Sequence, residues 1–271
     1  MLAALPLEAQ SDGSHILRSA TGPWVGVERV RIHLCVRRTL DWSRSEGLAD
    51  RVLPSFRPKF EAWNETFDLS YGAFRQRLKE IAELSLSRVD GAACTALEKV
   101  PAGDLILPVD DDDWFAPNVA QEIRQAVEPD RAGYYWIREV ISPSRRRRKL
   151  RNVLWPRRRR GSYTCKTNNY AVINTPELRP LVGRHTDASE FFDAHPDRVR
   201  RIPKTLAIQN RNLASRTALA WKRPTISREE LVQAYESYAN LYAGWELPRD
   251  LRWAQPYMDR MAELMREVRV R

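Results

Sequence analysis

Four consecutive aspartates, Asp110 to Asp113, are the residues whose type and spacing most clearly indicate chemistry. They directly follow a short apolar run, residues 104–109 (DLILPV), which is typical of a strand covered on both faces of an α/β sheet. Adjacent carboxylates repel one another, so at the carboxyl end of a buried strand they require a compensating cation. Oxygen ligands of this kind suit Mg²⁺ or Mn²⁺. The alternative is an acidic turn that only starts the next helix, because aspartate is favourable before a helix N-terminus.

The elements expected around the aspartates alternate between strands and helices. Alternating or continuous apolar residues predict strands at 29–37, 104–109, 133–141, 163–173 and 199–208. Apolar residues that recur every three or four positions predict helices at 71–87, at 92–99 and after Pro117. This alternation predicts an α/β fold with a mixed, mostly parallel sheet and flanking helices.

The two ends of the chain differ from this central part. Residues 1–28 carry turn formers and no sustained periodicity, which predicts a loosely held lead-in to a domain at 29–220. Residues 221–271 contain a capping box, Ser227 to Glu230, and two apolar stripes at helical spacing. They are therefore predicted to form a helical extension that docks on the α/β body.

The string AGDLILPVDDDDWFAP, with a helix expected on either side, resembles a segment of GT-A fold glycosyltransferases. In that family a strand delivers an Asp-x-Asp motif to the diphosphate of a nucleotide sugar. Asp110 and Asp112 occupy the two positions of the motif, and Asp113 follows as in many members. The resemblance implies that Asp110, Asp111 and Asp112 bind the donor, and that Asp110, Asp112 and Asp113 hold Mn²⁺ or Mg²⁺.

Weaker likenesses extend the resemblance over about residues 29–219. Residues 53–67 (LPSFRPKFEAWNETF) and Arg88 resemble bacterial sugar transferases of the putative rhamnosyltransferase type, which implies that Arg88 also binds the donor. Residues 209–215 (QNRNLAS) are similar to a motif that closes the active site of the large inverting family. That family often has a histidine where this chain has Asn212, so a third metal ligand is not evident.

An inverting glycosyl transfer needs a carboxylate that takes the proton of the acceptor hydroxyl. The segment 182–192 (VGRHTDASEFF) offers Asp187 and Glu190, and the resemblance favours Asp187. Their spacing is also that of a capping box, so both residues could simply start a helix. His185 lies two residues from Asp187, where it could bind the metal or the diphosphate, or be an ordinary exposed histidine.

The net charge of +10 comes from one segment. Residues 145–160 (RRRRKLRNVLWPRRRR) hold ten basic residues and no acid, so the rest of the chain balances at 35 basic against 35 acidic residues. The segment could be a solvated loop, a site for an anionic or lipid-linked acceptor or an acidic membrane surface, or a nucleic-acid arm. Only Trp155 interleaves the arginines, and single-strand binding needs more aromatic residues, so nucleic acid is the weakest of the three.

Other classes are excluded by what the sequence lacks. It has no glycine-rich phosphate loop, no zinc-spaced Cys or His cluster and no nucleophile elbow, which excludes kinases, zinc hydrolases and serine esterases. It also lacks a signal-like start and an apolar run of about 20 residues, which predicts a cytoplasmic protein. Cys35, Cys94 and Cys165 are expected to be buried thiols. The sequence therefore predicts a metal-dependent glycosyltransferase acting on a hydroxyl acceptor, with a polyanion-binding protein or an inactive glycan-binding module as alternatives.

Overall fold

The computed structural model describes residues 7–9, 15–19, 22–23, 30–36, 57–144, 151–152, 165, 168–182, 184–215 and 225–271. Its strands are β1 (Leu7–Ala9), β2 (His15–Ser19), β3 (Gly22–Pro23), β4 (Ile32–Val36), β5 (Ala92–Cys94), β6 (Leu105–Val109), β7 (Trp114–Phe115), β8 (Gly133–Ile141), β9 (Pro143–Ser144), β10 (Arg151–Asn152), β11 (Tyr170–Ile173) and β12 (Val199–Asn210). Its α-helices are α1 (Arg57–Thr66), α2 (Tyr71–Leu86), α3 (Val119–Ala126), α4 (His185–Ala194), α5 (Arg228–Tyr242) and α6 (Gln255–Glu267).

Seven strands form one mixed sheet in the order β5-β4-β6-β11-β8-β12-β7. Strands β11 and β7 run against the other five, since each pairs antiparallel with its neighbours. Strand β6 lies inside the sheet between β4 and β11, and all five of its residues are buried. The predicted α/β class with a mixed sheet and flanking helices is confirmed, and three of the six strand pairs are parallel. Strand β6 ends directly at the first aspartate.

The prediction of a helix at 92–99 was wrong. The chain there forms β5, which pairs in parallel with β4, and then a single 3₁₀ turn at Leu97–Lys99. Gly91 precedes β5 with a φ of +69°, a backbone conformation that a helix cannot continue through. The local apolar spacing was compatible with a helix, but pairing with β4 determined the structure.

Helices α1, α2, α5 and α6 share one core, which also includes side chains from the β7, β8 and β12 end of the sheet. Ser70 caps the N-terminus of α2, since its hydroxyl accepts a hydrogen bond from the backbone N–H of Ala73. The predicted capping box, Ser227 and Glu230, starts α5. The C-terminal helices α5 and α6 therefore pack as part of the same body as α1, which the sequence did not identify as a helix. Within the described residues no helix is long and apolar enough to cross a membrane.

Two predictions concern regions that the structure describes only in part. The predicted lead-in contains three short strands, and β2 pairs with both β1 and β3. Of the arginine-rich segment 145–160, only the two residues of β10 are described, paired with β9. The rest of that segment lies outside the described residues. Residues 53–56, the start of the segment that resembles rhamnosyltransferases, also lie outside them.

The three cysteines differ in burial, and His33 is buried. Cys35 and Cys165 are buried as expected, whereas Cys94 is exposed on the edge strand β5, which corrects the prediction of three buried thiols. Burial raises the pKa of Cys35 to about 12. His33 of β4 is a buried histidine with both ring nitrogens engaged, 2.9 Å from Thr95 Oγ1 and 2.8 Å from Asp104 Oδ2.

We expect Gly133→Ala to lower the free energy of unfolding by about 1–3 kcal/mol, because the added methyl group overpacks the core. A Cβ at Gly133 would lie 2.7 Å from the ring of Phe192, a fully buried side chain that holds α4 on the sheet. Urea denaturation measures the effect. The matched test is Phe192→Leu, which creates space at the same point. The loss in the double variant should be smaller than the sum of the two single losses, and strict additivity would contradict the contact.

Candidate functional site

The four aspartates form the turn that joins β6 to β7, at the carboxyl end of the parallel strands. The turn is surrounded by α2 and by the residues around the start of β11 and the end of β12, each of which donates a hydrogen bond to it. The four carboxylates do not share one environment. Asp111 and Asp113 are buried, whereas Asp110 and Asp112 are partly exposed.

Asp113 joins two strands of the sheet. Its Oδ1 accepts the backbone N–H of Asn210 at 2.9 Å, and its Oδ2 accepts the side-chain amide of Asn168 at 2.8 Å. These two hydrogen bonds connect β12 with the residues before β11, and only 2% of Asp113 is exposed. This arrangement leaves Asp113 poorly suited to the metal-ligand role that the resemblance implies.

Asp111 is paired with Arg75 of α2. The Nη2 of Arg75 lies 3.0 and 3.1 Å from the two oxygens of Asp111, and both residues are buried. The sequence analysis did not identify Arg75. A signal was present, since Arg75 lies on the apolar face of α2 between Tyr71 and Leu78, and an arginine at a core position requires a buried acid.

Asp112 is oriented by three donors that all reach the same oxygen. Its Oδ2 accepts from Arg75 Nη1 at 3.2 Å, from Asn212 Nδ2 at 3.0 Å and from Ser215 Oγ at 3.4 Å. No hydrogen bond from the described residues reaches Oδ1, and 17% of the side chain is exposed. Asp112 is thus held in place through one oxygen while the other remains available to a ligand.

Asn212 occupies the position at which the resemblance implies a histidine. Its Oδ1 accepts the backbone N–H of Ala214 at 2.9 Å, which identifies that atom as the oxygen because a backbone N–H can only donate. Its Nδ2 therefore faces Asp112 and the backbone oxygen of Asn210. In this orientation Asn212 supports Asp112 as a donor, and its oxygen points away from any cation that Asp112 would bind.

The charges of the site interact strongly. Burial raises the pKa of Asp112, and Asp111 and Asp110 raise it further, against the opposing effects of Arg75 and Asn212. Burial, followed by the negative charges of Asp112 and Asp110, raises the pKa of Asp113 well above its ordinary value. For Arg75 burial acts to lower the pKa, but the carboxylates of Asp112 and Asp111 outweigh it and raise the pKa. The compensating cation that the sequence required is in part supplied by the chain itself.

The guanidinium of Arg75 supplies part of the positive charge that a metal ion was predicted to supply. It leaves fewer carboxylate groups for a metal but does not replace the metal. Among the described residues, no group of three or more His, Cys, Asp or Glu side chains is arranged to hold a metal ion. The side chain of His185, which was predicted to bind the metal or the diphosphate, lies outside the described residues. A site with one or two carboxylates is still typical of Mg²⁺ or Mn²⁺, which complete their shells with water and substrate phosphate.

Arg88 lies away from the aspartates. Arg75 is near the start of α2, and Leu86 at its end is about 17 Å further along the helix axis. Arg88 follows that end, where its guanidinium lies 5.7 Å from the centre of the Tyr257 ring. The arginine of this region that contacts the aspartates is therefore Arg75 and not Arg88.

Asp187 and Glu190 lie on α4, and they do not form a capping box. The helix begins at His185 with Arg184 as its N-cap, so Asp187 is in the first turn, with its carboxylate 3.8 Å from Arg184. Both residues lie in the first two turns of α4, as the alternative that they only start a helix expects, but neither caps it. Asp187 still favours the helix electrostatically, because it lies at the positive end of the helix dipole. Its side chain is 48% exposed, and Glu190 is exposed as well.

Two contacts attach α4 to the sheet. Phe192, near the C-terminal end, packs on Gly133 at the amino end of β8. Ser189, in the middle of the helix, accepts the backbone N–H of Cys165, three residues before the Asn168 that bonds Asp113. Through Ser189, the helix that carries Asp187 is therefore bonded to the segment that also contacts Asp113.

A search of protein-family models finds none that matches the chain, and no curated protein matches it either. The functional conclusion therefore depends on the geometry of the site and on the sequence motif.

We expect Asp113→Asn to keep the free energy of unfolding within about 1 kcal/mol of the wild type. The new amide would retain the bond from Asn210, and its N–H could donate to the Oδ1 of Asn168, which is buried without a partner, after that amide turns over. Asp113→Ala leaves both donors unpaired and should cost about 2–3 kcal/mol. Urea denaturation of both variants measures the difference, and equal losses would contradict the assignment.

Proposed function

We infer that the chain is a metal-dependent glycosyltransferase of GT-A type, which transfers a sugar from a nucleotide-diphosphate donor to a hydroxyl acceptor with inversion. The observation that carries this proposal is the orientation of Asp112, whose Oδ2 is fixed by three donors and whose Oδ1 is left for a ligand. The position of the aspartates supports it, because α/β sheets bind ligands at the carboxyl ends of their parallel strands.

The residues present fit a divalent cation of the Mg²⁺ or Mn²⁺ type. Asp112 would hold it through Oδ1, and Asp110, which is partly exposed beside it, would be the second carboxylate. A cation there would stabilise the charge that develops on the leaving diphosphate. Asp111 and Asp113 serve the site indirectly, since their own hydrogen bonds hold the turn between α2, β11 and β12.

Asp187 is the proposed general base. Inversion requires an acceptor hydroxyl to attack the anomeric carbon on the face opposite the diphosphate while a carboxylate removes its proton. Asp187 suits this role because its carboxylate is half exposed and lies in the first turn of α4. Ser189 of the same helix bonds the segment that also contacts Asp113. Glu190, one turn further along, is the second candidate.

We expect Asp112→Asn to remove metal-dependent binding of nucleoside diphosphates while the protein stays folded. A ligand that binds only the folded state raises the melting temperature, so a thermal-shift screen of nucleoside diphosphates with and without Mn²⁺ measures the effect. The matched control is Asp130→Asn, which removes an exposed charge paired only at the surface with Arg131. The control should behave as the wild type. An equal Mn²⁺-dependent shift in Asp112→Asn would refute the metal site.

We expect Asp187→Asn to lower kcat by roughly 10²–10⁴-fold with little change in donor affinity, because it removes only the proton acceptor. Glu190→Gln on the same helix is the matched variant and should retain turnover. Single-turnover rates with the donor identified by the thermal-shift screen make the comparison. If Glu190→Gln loses turnover and Asp187→Asn does not, the base is Glu190. If both variants keep a normal rate, neither residue is the base.

A further inference from the structure

Arg75 makes two unequal attachments to the aspartate turn. Its Nη2 reaches both oxygens of Asp111, at 3.0 and 3.1 Å. Its Nη1 makes a single and longer contact, 3.2 Å, with Asp112 Oδ2, an oxygen that Asn212 and Ser215 also reach. If the contact with Asp112 is lost, Asp112 keeps two donors and Arg75 keeps Asp111.

The aspartate turn concentrates negative charge around one guanidinium. Four carboxylates lie within four consecutive residues, and two of them, Asp111 and Asp112, share Arg75. A second observation at the same place indicates a missing partner. Asn168 is fully buried against Asp113, and its Oδ1 accepts no hydrogen bond. A buried acceptor beside an acidic turn indicates a bound cation or a donor group, since leaving it unpaired is costly.

We propose that Arg75 is a donor-binding residue that exchanges partners when the site is filled. Its Nη2 stays on Asp111, and its Nη1 leaves Asp112 for a phosphate oxygen of the donor once a divalent cation neutralises Asp112. This inference rests on the proposed function and deepens it, because it identifies the protein group that contacts the diphosphate.

The chemistry of arginine fits this exchange. A guanidinium presents several N–H groups in a fixed plane, so it can bind a carboxylate with one nitrogen and a phosphate oxygen with another. Arg75 is buried, with its charge already stabilised by Asp111, so only one side of the group has to change partners. A lysine has a single nitrogen and could not remain on Asp111 and reach a phosphate in the same way.

Two titrations of the chain of residues 1–271 separate this role from a structural one. Calorimetry measures the dissociation constant of Mn²⁺ alone and then of inorganic pyrophosphate at saturating Mn²⁺. In Arg75→Met we expect the affinity for pyrophosphate to fall about 10- to 100-fold, the effect of losing a charge-assisted hydrogen bond. The affinity for Mn²⁺ alone should be equal or higher, because the competing cation at Asp112 is gone.

A matched control and a second variant complete the experiment. Arg77→Met removes an exposed arginine two residues along α2, paired with Glu80, and should leave both constants unchanged. If Arg75→Met does not fold, as judged by circular dichroism, Arg75→Lys decides. It keeps the charge at the aspartates, so Mn²⁺ binding should persist while pyrophosphate binding falls about tenfold.

The outcomes distinguish this inference from the function on which it rests. Unchanged pyrophosphate binding in the Arg75 variants, with normal Mn²⁺-dependent binding in the wild type, overturns the exchange and leaves the proposed function intact. A parallel loss of Mn²⁺ and pyrophosphate binding assigns Arg75 a structural role and also overturns the exchange. If the wild type binds neither Mn²⁺ nor pyrophosphate, the proposed function fails, and the inference fails with it.

Discussion

The concentration of negative charge at the end of β6 is the constraint that organises the surrounding structure. Two of the four carboxylates are buried, and a buried carboxylate is costly unless donors surround it. Each neighbouring element accordingly supplies a donor to them: α2 provides Arg75, the residues before β11 provide Asn168, and β12 provides Asn210. Asn212, just after β12, donates to Asp112. The elements that hold the aspartates are therefore also held by them.

This dependence extends into the C-terminal helices. Tyr242 of α5 donates its hydroxyl to Asn210 Oδ1 at 2.6 Å, and Asn210 in turn donates its backbone N–H to Asp113. Burial raises the pKa of Tyr242 well above its ordinary value, which keeps the phenol protonated and able to donate. The last helices of the chain are thus connected to the candidate site by two consecutive hydrogen bonds.

The division of roles among four identical residues follows from their positions on the turn. Asp111 and Asp113 point into the protein, where they pair with Arg75 and with the two strands, and these contacts fix the turn. Asp112, between them, keeps one oxygen in that network and presents the other outward. A site of this kind is preorganised, because Asn212 and Ser215 hold Asp112 Oδ2 in position before a ligand binds.

The sequence alone determined the features that depend on neighbouring residues. The apolar run of β6, the nine-residue β8 and the capping box of α5 were predicted where the structure has them, because periodicity and capping are properties of adjacent positions. The location of the aspartates after a buried strand was predicted for the same reason.

Tertiary structure alone decided what depends on distant residues. Residues 92–94 became a strand because β4 lay beside them, and Arg75 became the partner of Asp111, 36 residues away, because α2 packs across the end of the sheet. The sequence selected Arg88 for the site, and the fold brought Arg75 there instead. Four adjacent aspartates look alike in a sequence. Long-range packing brings different donors to them, and these donors make Asp111 and Asp113 hold the turn while Asp112 keeps one oxygen open to a ligand.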